Sequence, residues 1–428
     1  MRTLLLILLL LSFDTSVPAG DDFTVLPRAV SLHGQAATAK ILIQKLIRTD
    51  DSTYATIAGQ ITSGIHLEVA NSSIARVEGT SIHAVSDGTT ELMVSVAGYP
   101  RIARIPISVR SVSNEHTWEF TAHVQSVFSR HGCNSGACHG ALAGKGGFRL
   151  SLLGYDSLAD HYTITSQEQG RRVEPVDPLA SLLLSKPSMQ VPHKGGLRLD
   201  ADSADFRLLA QWISSGSPGP QTEDAALRGI EVLPGQFHAS MDASQALIVR
   251  AFYEDGRVED VTKWARFSST NEAVATVDAH GNVRIVGHGR GAIATWFSSR
   301  ISLATVDVPF DSWKSHQLLA TESTSVTSLG ADAVTASNSD RDIRLFSPYN
   351  VIDEILAKEW RSLELGPSPL CDDLTFLRRA YVDATGTLPD SSTVSNLLSG
   401  GQSLNREKLV DELLDSSQYI DYWSYLWS

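Results

Sequence analysis

The chain has 428 residues, and at about 100–200 residues per domain this length predicts three or four domains. Its net charge of −13 argues against a nucleic-acid partner, because no basic block is present to neutralise phosphates. Only three cysteines occur, Cys133, Cys138 and Cys371, whereas an exported protein built on disulfides would carry more of them and an even number.

The first 19 residues are typical of a secretory signal peptide. Arg2 precedes an apolar run from Leu4 to Leu11, and the small residues Val17 and Ala19 fit cleavage after Ala19. The apolar run is shorter than the roughly 20 residues of a membrane helix, and no later stretch has that length. The sequence therefore predicts an exported protein without a membrane span.

Two segments about 200 residues apart share a motif, N-S-S-I-A-R-V from Asn71 and N-E-A-V-A-T-V from Asn271. Each is followed by a turn, a strand that ends at a glycine, and another apolar strand. Short strands separated by turns every 8–12 residues, over about 90 residues, are the pattern of a small β-sandwich. We therefore predict two sandwiches, at 22–112 and at 226–312, the second with a hairpin turn at Asp255-Gly256.

The segment between the sandwiches, 117–220, has a different pattern. Apolar residues recur at helical spacing before the cysteines, and a second helix, 203–214, carries Trp212 and stops at Gly216. A Ser/Thr-rich stretch at 313–345 reads as a linker. The last segment, 346–428, is helical in pattern and stops within an aromatic amphipathic helix, so we expect this C-terminal domain to be incomplete.

The run Cys133-Asn134-Ser135-Gly136-Ala137-Cys138-His139 is the most informative motif. Two cysteines followed directly by a histidine are used to attach haem: each thiol adds to a vinyl group and the histidine is the proximal ligand. Four residues separate the cysteines instead of the usual two, and this insert is small and flexible. Two other interpretations stay open, a local Cys133–Cys138 disulfide and a zinc site, although zinc would need a second pair of ligands.

Two longer stretches resemble a known group of proteins. H-G-C-N-S-G-A-C-H-G-A-L-A-G-K-G-G-F-R-L looks like the cytochrome-type segment of large exported planctomycete proteins, and P-S-P-L-C-D-D-L-T-F-L-R-R-A-Y-V-D looks like their cytochrome-C-associated domain of unknown function. The second sandwich resembles bacterial group 2 immunoglobulin-like domains, and the first is a looser match. The order of helices and motif in 117–220 resembles class I cytochromes c.

This resemblance implies a multidomain fold. Two all-β immunoglobulin-like sandwiches would flank an all-α cytochrome c-like domain, and an α-helical domain would follow at the C-terminus. It also implies one covalent haem c per chain and a place in the periplasm or at the cell surface. In the run K-P-S-M-Q-V-P-H-K-G-G, where class I cytochromes carry the distal ligand, both Met189 and His193 are candidates, and we favour His193.

The predicted function is electron transfer by an exported haem protein, with an unknown redox partner. The immunoglobulin-like domains would position it, with cell-surface or polysaccharide contact as one use. No nucleophile–base set is visible, so we expect an electron carrier and no catalytic residues. The alternative is a non-redox adhesion or carbohydrate-associated surface protein in which Cys133 and Cys138 form a disulfide. Cys371 is interpreted as structural, with Asp372 or Asp373 capping the helix that follows.

Overall fold

The computed structural model describes residues 22–34, 37–47, 55–113, 118–222, 224–310, 348–366, 370–399 and 403–428. The chain divides into two compact units, Met1–Asp311 and Ser312–Ser428. The predicted signal peptide and the predicted linker both lie outside the described residues.

The first unit begins with a β-sandwich of ten strands. They are β1 Asp22–Leu26, β2 Val30–His33, β3 Thr38–Lys40, β4 Leu42–Ile47, β5 Thr56–Ile61, β6 Ile65–Val69, β7 Ala75–Glu78, β8 Ser81–Ala84, β9 Gly88–Val96 and β10 Ile102–Arg110. Their hydrogen-bonded orders are β1-β4-β5, β2-β10-β9-β6 and β3-β8-β7. Strand β10 alternates strictly, with Ala103, Ile105, Ile107 and Val109 buried, which is the period-2 pattern of a half-buried strand.

The second sandwich repeats this plan. Its strands are β11 Leu227–Leu233, β12 Gln236–His238, β13 Ser244–Ala246, β14 Ile248–Tyr253, β15 Val258–Asp260, β16 Arg266–Ser269, β17 Ala275–Val277, β18 Asn282–Ile285, β19 Gly289–Phe297 and β20 Arg300–Val308. The orders β11-β14-β15, β12-β20-β19-β16 and β13-β18-β17 match those of the first sandwich strand for strand. In both copies the second strand runs parallel to the last one. The predicted pair of sandwiches is therefore a repeat of one topology.

The two sandwiches touch each other within the first unit. The backbone N–H of Lys40 donates to Asp260 Oδ2 over 2.8 Å, and that of Ala246 donates to Gln60 Oε1 over 2.8 Å. A small apolar cluster of Leu26, Leu42 and Ile248 lies between them.

The segment between the sandwiches is mostly loops with short helices. A π-helical turn, Phe120–Val124, leads into α1 Gln125–Arg130, and α2 Ser157–Thr165, α3 Leu182–Ser185 and α4 Ala204–Ser214 follow. Helix α4 begins at a Ser203 cap whose hydroxyl accepts from Phe206 N, and its buried face carries Phe206, Leu209, Trp212 and Ile213.

The predicted all-α cytochrome c-like domain between the sandwiches is wrong. The apolar face of this segment does not close on itself: Phe120, Val127 and Trp212 belong to one continuous core with Val249 and Tyr253 of the second sandwich. Among the described residues, moreover, no group of three or more His, Cys, Asp or Glu side chains could hold a metal ion. The fold is two β-sandwiches with a loop-rich helical segment packed on the second, followed by a helical C-terminal unit.

The second unit is helical, with α5 Val351–Ser362, α6 Asp373–Thr385, α7 Ser391–Ser399, α8 Arg406–Leu414 and α9 Ser417–Trp427. Its small core is centred on Leu377, Leu409 and Leu413. Asp372 caps α6 as predicted, since its carboxylate accepts from Thr375 N over 2.8 Å. In the part of the chain that the structure describes, no helix has both the length and the apolar character needed to cross a bilayer.

Candidate functional site

The cysteine motif follows α1 and folds into a closed set of turns. Cys133 N donates to Phe128 O over 2.8 Å, and His139 N donates back to Cys133 O over 2.9 Å. Asn134 is fully buried, and its side-chain amide donates to Ser129 Oγ over 2.8 Å. The backbone carbonyl of Asn134 accepts from Leu153 N over 3.1 Å. The four-residue insert is thus a defined turn, and the expectation of a flexible loop is not met.

Gly140, directly after the motif, has no room for a side chain. A Cβ at this position would lie 2.1 Å from the carbonyl oxygen of Asn134. The turn that closes the motif therefore requires glycine, because atoms at that distance would overlap.

His139 is oriented by Phe148. The ring nitrogen Nδ1 lies 3.0 Å from the Phe148 carbonyl oxygen, and the two rings are 4.6 Å apart between centroids at 52°. A carbonyl oxygen can only accept, so Nδ1 must carry the ring proton. Burial lowers the pKa of His139, and the nearby charges of Arg172 and Lys145 lower it further, against the hydrogen bond to Phe148 that raises it. The net lowering of the His139 pKa favours the neutral imidazole that binds metals.

His193 is oriented in the same way. Its Nδ1 lies 3.0 Å from the carbonyl oxygen of Gly196, which fixes the ring proton on Nδ1 here also. The ring packs on the backbone of Gly195, where a Cβ would lie 2.7 Å from His193 Cε1. The loop that carries it is tied to the end of α3, since Val191 N donates to Ser185 O over 3.0 Å.

The structure brings His139 and His193 together although 53 residues separate them. Their ring centroids are 6.3 Å apart and their planes differ by only 13°. Among the described hydrogen bonds, each ring uses Nδ1 alone, so both Nε2 atoms keep a lone pair for a metal. The arrangement is a pair of parallel imidazoles with matched tautomers.

Met189 lies in the same loop but in a different setting. Its side chain is 47% exposed and its backbone φ is 63°, in the left-handed region. No described contact joins it to His139. Of the two predicted distal candidates, His193 is the one that the structure places against His139.

Cys133 and Cys138 both carry free thiols. Burial raises the pKa of the Cys133 thiol to about 11, and the neighbouring charge of Cys138 adds to this effect. Both cysteines are thus reduced, and His139 directly follows Cys138 in the sequence.

Arg172 is the residue of this region that the sequence did not single out. Its side chain is 6% exposed, and its guanidinium donates to the carbonyls of Thr163, Gln167 and Gly147 over 2.9, 3.0 and 3.1 Å. The same group lies 4.9 Å from the centroid of the Phe148 ring. Local sequence offers no signal for it, since Arg171 beside it is identical in type and exposed.

The fold and the site thus define a β-sandwich protein whose helical segment presents two free thiols and a histidine pair. The sequence profile of the family PSCyt2, described as a protein of unknown function (DUF1549), matches residues 351–428. This match confirms the predicted resemblance of the C-terminal segment to the planctomycete cytochrome-C-associated domain. A search among curated proteins gave no match.

Solved structures of surface-layer and surface-located proteins are among those that match this chain. One is the S-layer protein SbsC, domains 5–6, with 10% identity over 68% of this chain and 100% of that chain, at a TM-score of 0.27. A larger piece of SbsC, domains 4–9, has 10% identity over 67% of this chain and 31% of that chain, at a TM-score of 0.26. Another is a SusE-like surface located polysaccharide binding protein from Bacteroides thetaiotaomicron, with 8% identity over 65% of this chain and 33% of that chain, at a TM-score of 0.13.

Proposed function

We propose that the protein is an exported electron carrier that holds one covalent haem in the helical segment of its first unit. Cys133 and Cys138 would be the thioether anchors, and His139 and His193 the axial ligands. A bound haem would supply a one-electron iron couple, and a second histidine in place of methionine would lower its potential.

The observation that carries this proposal is the spacing of the two imidazoles. Each imidazole donates from Nδ1 to a backbone carbonyl, so both Nε2 lone pairs would be available to an iron held by the two histidines. The distance between the His139 and His193 centroids is 6.3 Å.

The donor set fits a haem better than it fits a bare metal ion. Porphyrin supplies four nitrogens to iron, so two protein ligands complete the coordination. A structural zinc ion would need four protein ligands, and the described residues contain no group of three or more. The tautomers agree with this assignment, because ligating histidines donate their other ring N–H to a carbonyl or carboxylate.

The surroundings of the histidine pair are suited to an apolar ring. The chain around the two histidines exposes large apolar side chains: Leu142 is 85% exposed and Leu197 is 64% exposed. In the proposed holoprotein these side chains would lie against a porphyrin face. The sandwiches would act as positioning modules on either side of the site.

A second candidate function is non-redox surface adhesion or carbohydrate association through the sandwiches. The short separation of Cys133 and Cys138 along the chain favours it, since an oxidising compartment would join two such free thiols in a disulfide without any cofactor.

One experiment separates the two functions. The full chain is expressed with a c-type maturation system, and haem is detected after denaturing electrophoresis and by intact mass. We expect a haem-positive band that Cys133→Ser with Cys138→Ser abolishes. A mass without porphyrin and with two hydrogens missing would instead establish the disulfide and overturn the proposed haem.

A further inference from the structure

The two sandwiches contact each other through the same surface of each copy. The matching strand orders make β2, β3 and β5 of the first sandwich equivalent to β12, β13 and β15 of the second. Strand β5 lies against β12 and β13, and in return β15 lies against β2 and β3. Copies related by translation along the chain would use two different surfaces. The reciprocal use of one surface is instead the property of a two-fold axis.

The apolar cluster at this junction contains both members of each equivalent pair. Leu26 pairs with Leu42 in the last register position of β1 with β4. Leu233 pairs with Ile248 in the last register position of β11 with β14. In the cluster, Leu42 and Ile248 are buried together with Leu26, and Leu233 packs against them. The cluster is therefore built from the same two positions of each sandwich.

The hydrogen bonds between the sandwiches obey the same symmetry. Gln60 of β5 and Asp260 of β15 occupy equivalent positions of their ladders with β4 and β14. Lys40 and Ala246 are the last residues of β3 and β13. The backbone N–H of Lys40 donates to Asp260 over 2.8 Å. That of Ala246 donates to Gln60 over the same 2.8 Å, so each bond is the symmetry equivalent of the other.

We infer that the junction is a self-complementary interface, and that the partner it fits is a second copy of the same surface. The second sandwich carries both halves of the contact: the Ala246 N–H is the donor, the Asp260 carboxylate is the acceptor, and Ile248 is the apolar centre. In the intact chain the first sandwich occupies this surface. Two chains whose first sandwich is displaced should therefore pair through their second sandwiches, with the hydrogen bonds of the intrachain contact.

Leu42→Glu tests the inference in the full chain. It places a charge in the apolar cluster, so that the sandwiches separate and the surface of the second one is exposed. We expect the weight-average mass to rise towards twofold over about 10–200 μM in sedimentation equilibrium, because a small interface binds weakly. Adding Ile248→Glu disables the exposed surface, so L42E/I248E should keep the mass of the unaltered chain. Ile301→Glu, at a position 61% exposed outside the cluster, is the matched control and should also keep it.

The piece 118–310 provides a second test that does not depend on the folding of L42E. All buried residues of the core shared with the helical segment, and of the second sandwich's own core, come from this range, so the piece keeps both cores. It should be a dimer in the same concentration range, and Ile248→Glu should make it monomeric. A monomeric 118–310 piece would overturn the inference whatever the L42E chain does, and so would a dimer that persists with I248E.

Discussion

His123 Nε2 lies 3.7 Å from Glu259 Oε1, where the helical segment packs against β15 of the second sandwich. The backbone N–H of Glu119 donates to His123 Nδ1 over 3.1 Å, so the ring proton is on Nε2 and faces the carboxylate. Burial alone would raise the pKa of Glu259, but His123, Arg257 and Tyr253 together lower it to about 2. The helical segment and the second sandwich thus act together to keep the half-buried Glu259 carboxylate charged.

This relationship predicts acid sensitivity of the first unit. A carboxyl whose folded pKa is lower than its ordinary 4.5 contributes stability above about pH 5, and this contribution is lost as the pH falls towards 2. We expect a loss on the order of 1–3 kcal/mol in the free energy of unfolding, measured by urea denaturation across this range. Glu259→Gln should flatten the dependence and lower stability at neutral pH.

Exposed Glu254 provides the control, since Glu254→Gln changes the same charge five residues earlier on the surface. Its denaturation curves should follow those of the unaltered chain. Parallel pH profiles for E259Q and the unaltered chain would contradict the role assigned to Glu259.

The proposed axial ligands, His139 and His193, make a spectroscopic prediction. His193→Ala should convert the ferric protein from low spin to high spin, because it removes one of two strong-field ligands. His139→Ala should do the same and also lower haem retention. Absorption and electron paramagnetic resonance spectra measure both effects. Met189→Ala, in the same loop, is the matched control and should leave the spectra unchanged. Low-spin spectra in H193A, together with a loss of low spin in M189A, would reverse the ligand assignment.

Gly195 makes a steric prediction. A Cβ there would lie 2.7 Å from His193 Cε1, so Gly195→Ala must displace the imidazole. We expect about 1–3 kcal/mol of destabilisation, typical of overpacking, and a shift of the ferric spectrum towards high spin. Gly136→Ala adds the same methyl group where nothing lies within 4 Å, and it should change neither property. A G195A protein with an unaltered spectrum would show that the ring tolerates displacement.

The continuous core predicts that the helical segment and the second sandwich unfold together. Trp212 of α4 and Val249 of β14 are both fully buried in that core. Trp212→Ala should cost about 3–5 kcal/mol and Val249→Ala about 2 kcal/mol, and both should move one common urea transition. The transition is followed by near-ultraviolet circular dichroism. Ile301→Ala, at a position 61% exposed, should not move it. Two separate transitions, with V249A affecting only one, would contradict the common core.

The sequence predicted those parts of the fold that depend on local chemistry. The Asp255-Gly256 turn forms because Gly256 adopts a φ of 84° and the Asp255 carboxylate accepts from Arg257 N. The Asp372 cap likewise depends on residues three positions apart. The common core could not be predicted in the same way. The periodicity around Phe120 identifies an apolar face, but it does not say that this face meets a sandwich more than 100 residues later.

The distinction between local and long-range interactions also applies to the candidate site. Cys133, Cys138 and His139 are adjacent in the motif, and the P-H-K-G-G run marked His193 locally. What the sequence left open was the choice between His193 and Met189, which depends on how the loop after α3 is tied back to Ser185. Arg172 is buried and Arg171 is exposed, and the sequence could not distinguish them because this difference arises only in the folded chain.

The core that joins the helical segment to the second sandwich also limits which segments of this protein can be exchanged with other proteins by recombination. A recombination that moved residues 118–222 alone would expose Trp212 and Phe120 on the transferred segment. It would also expose Val249 and Tyr253 on the second sandwich that remains. We expect both products to be less soluble than the intact protein, because each would expose an apolar patch. A segment that keeps this core together must therefore include at least the stretch from the π-helical turn to the last strand of the second sandwich.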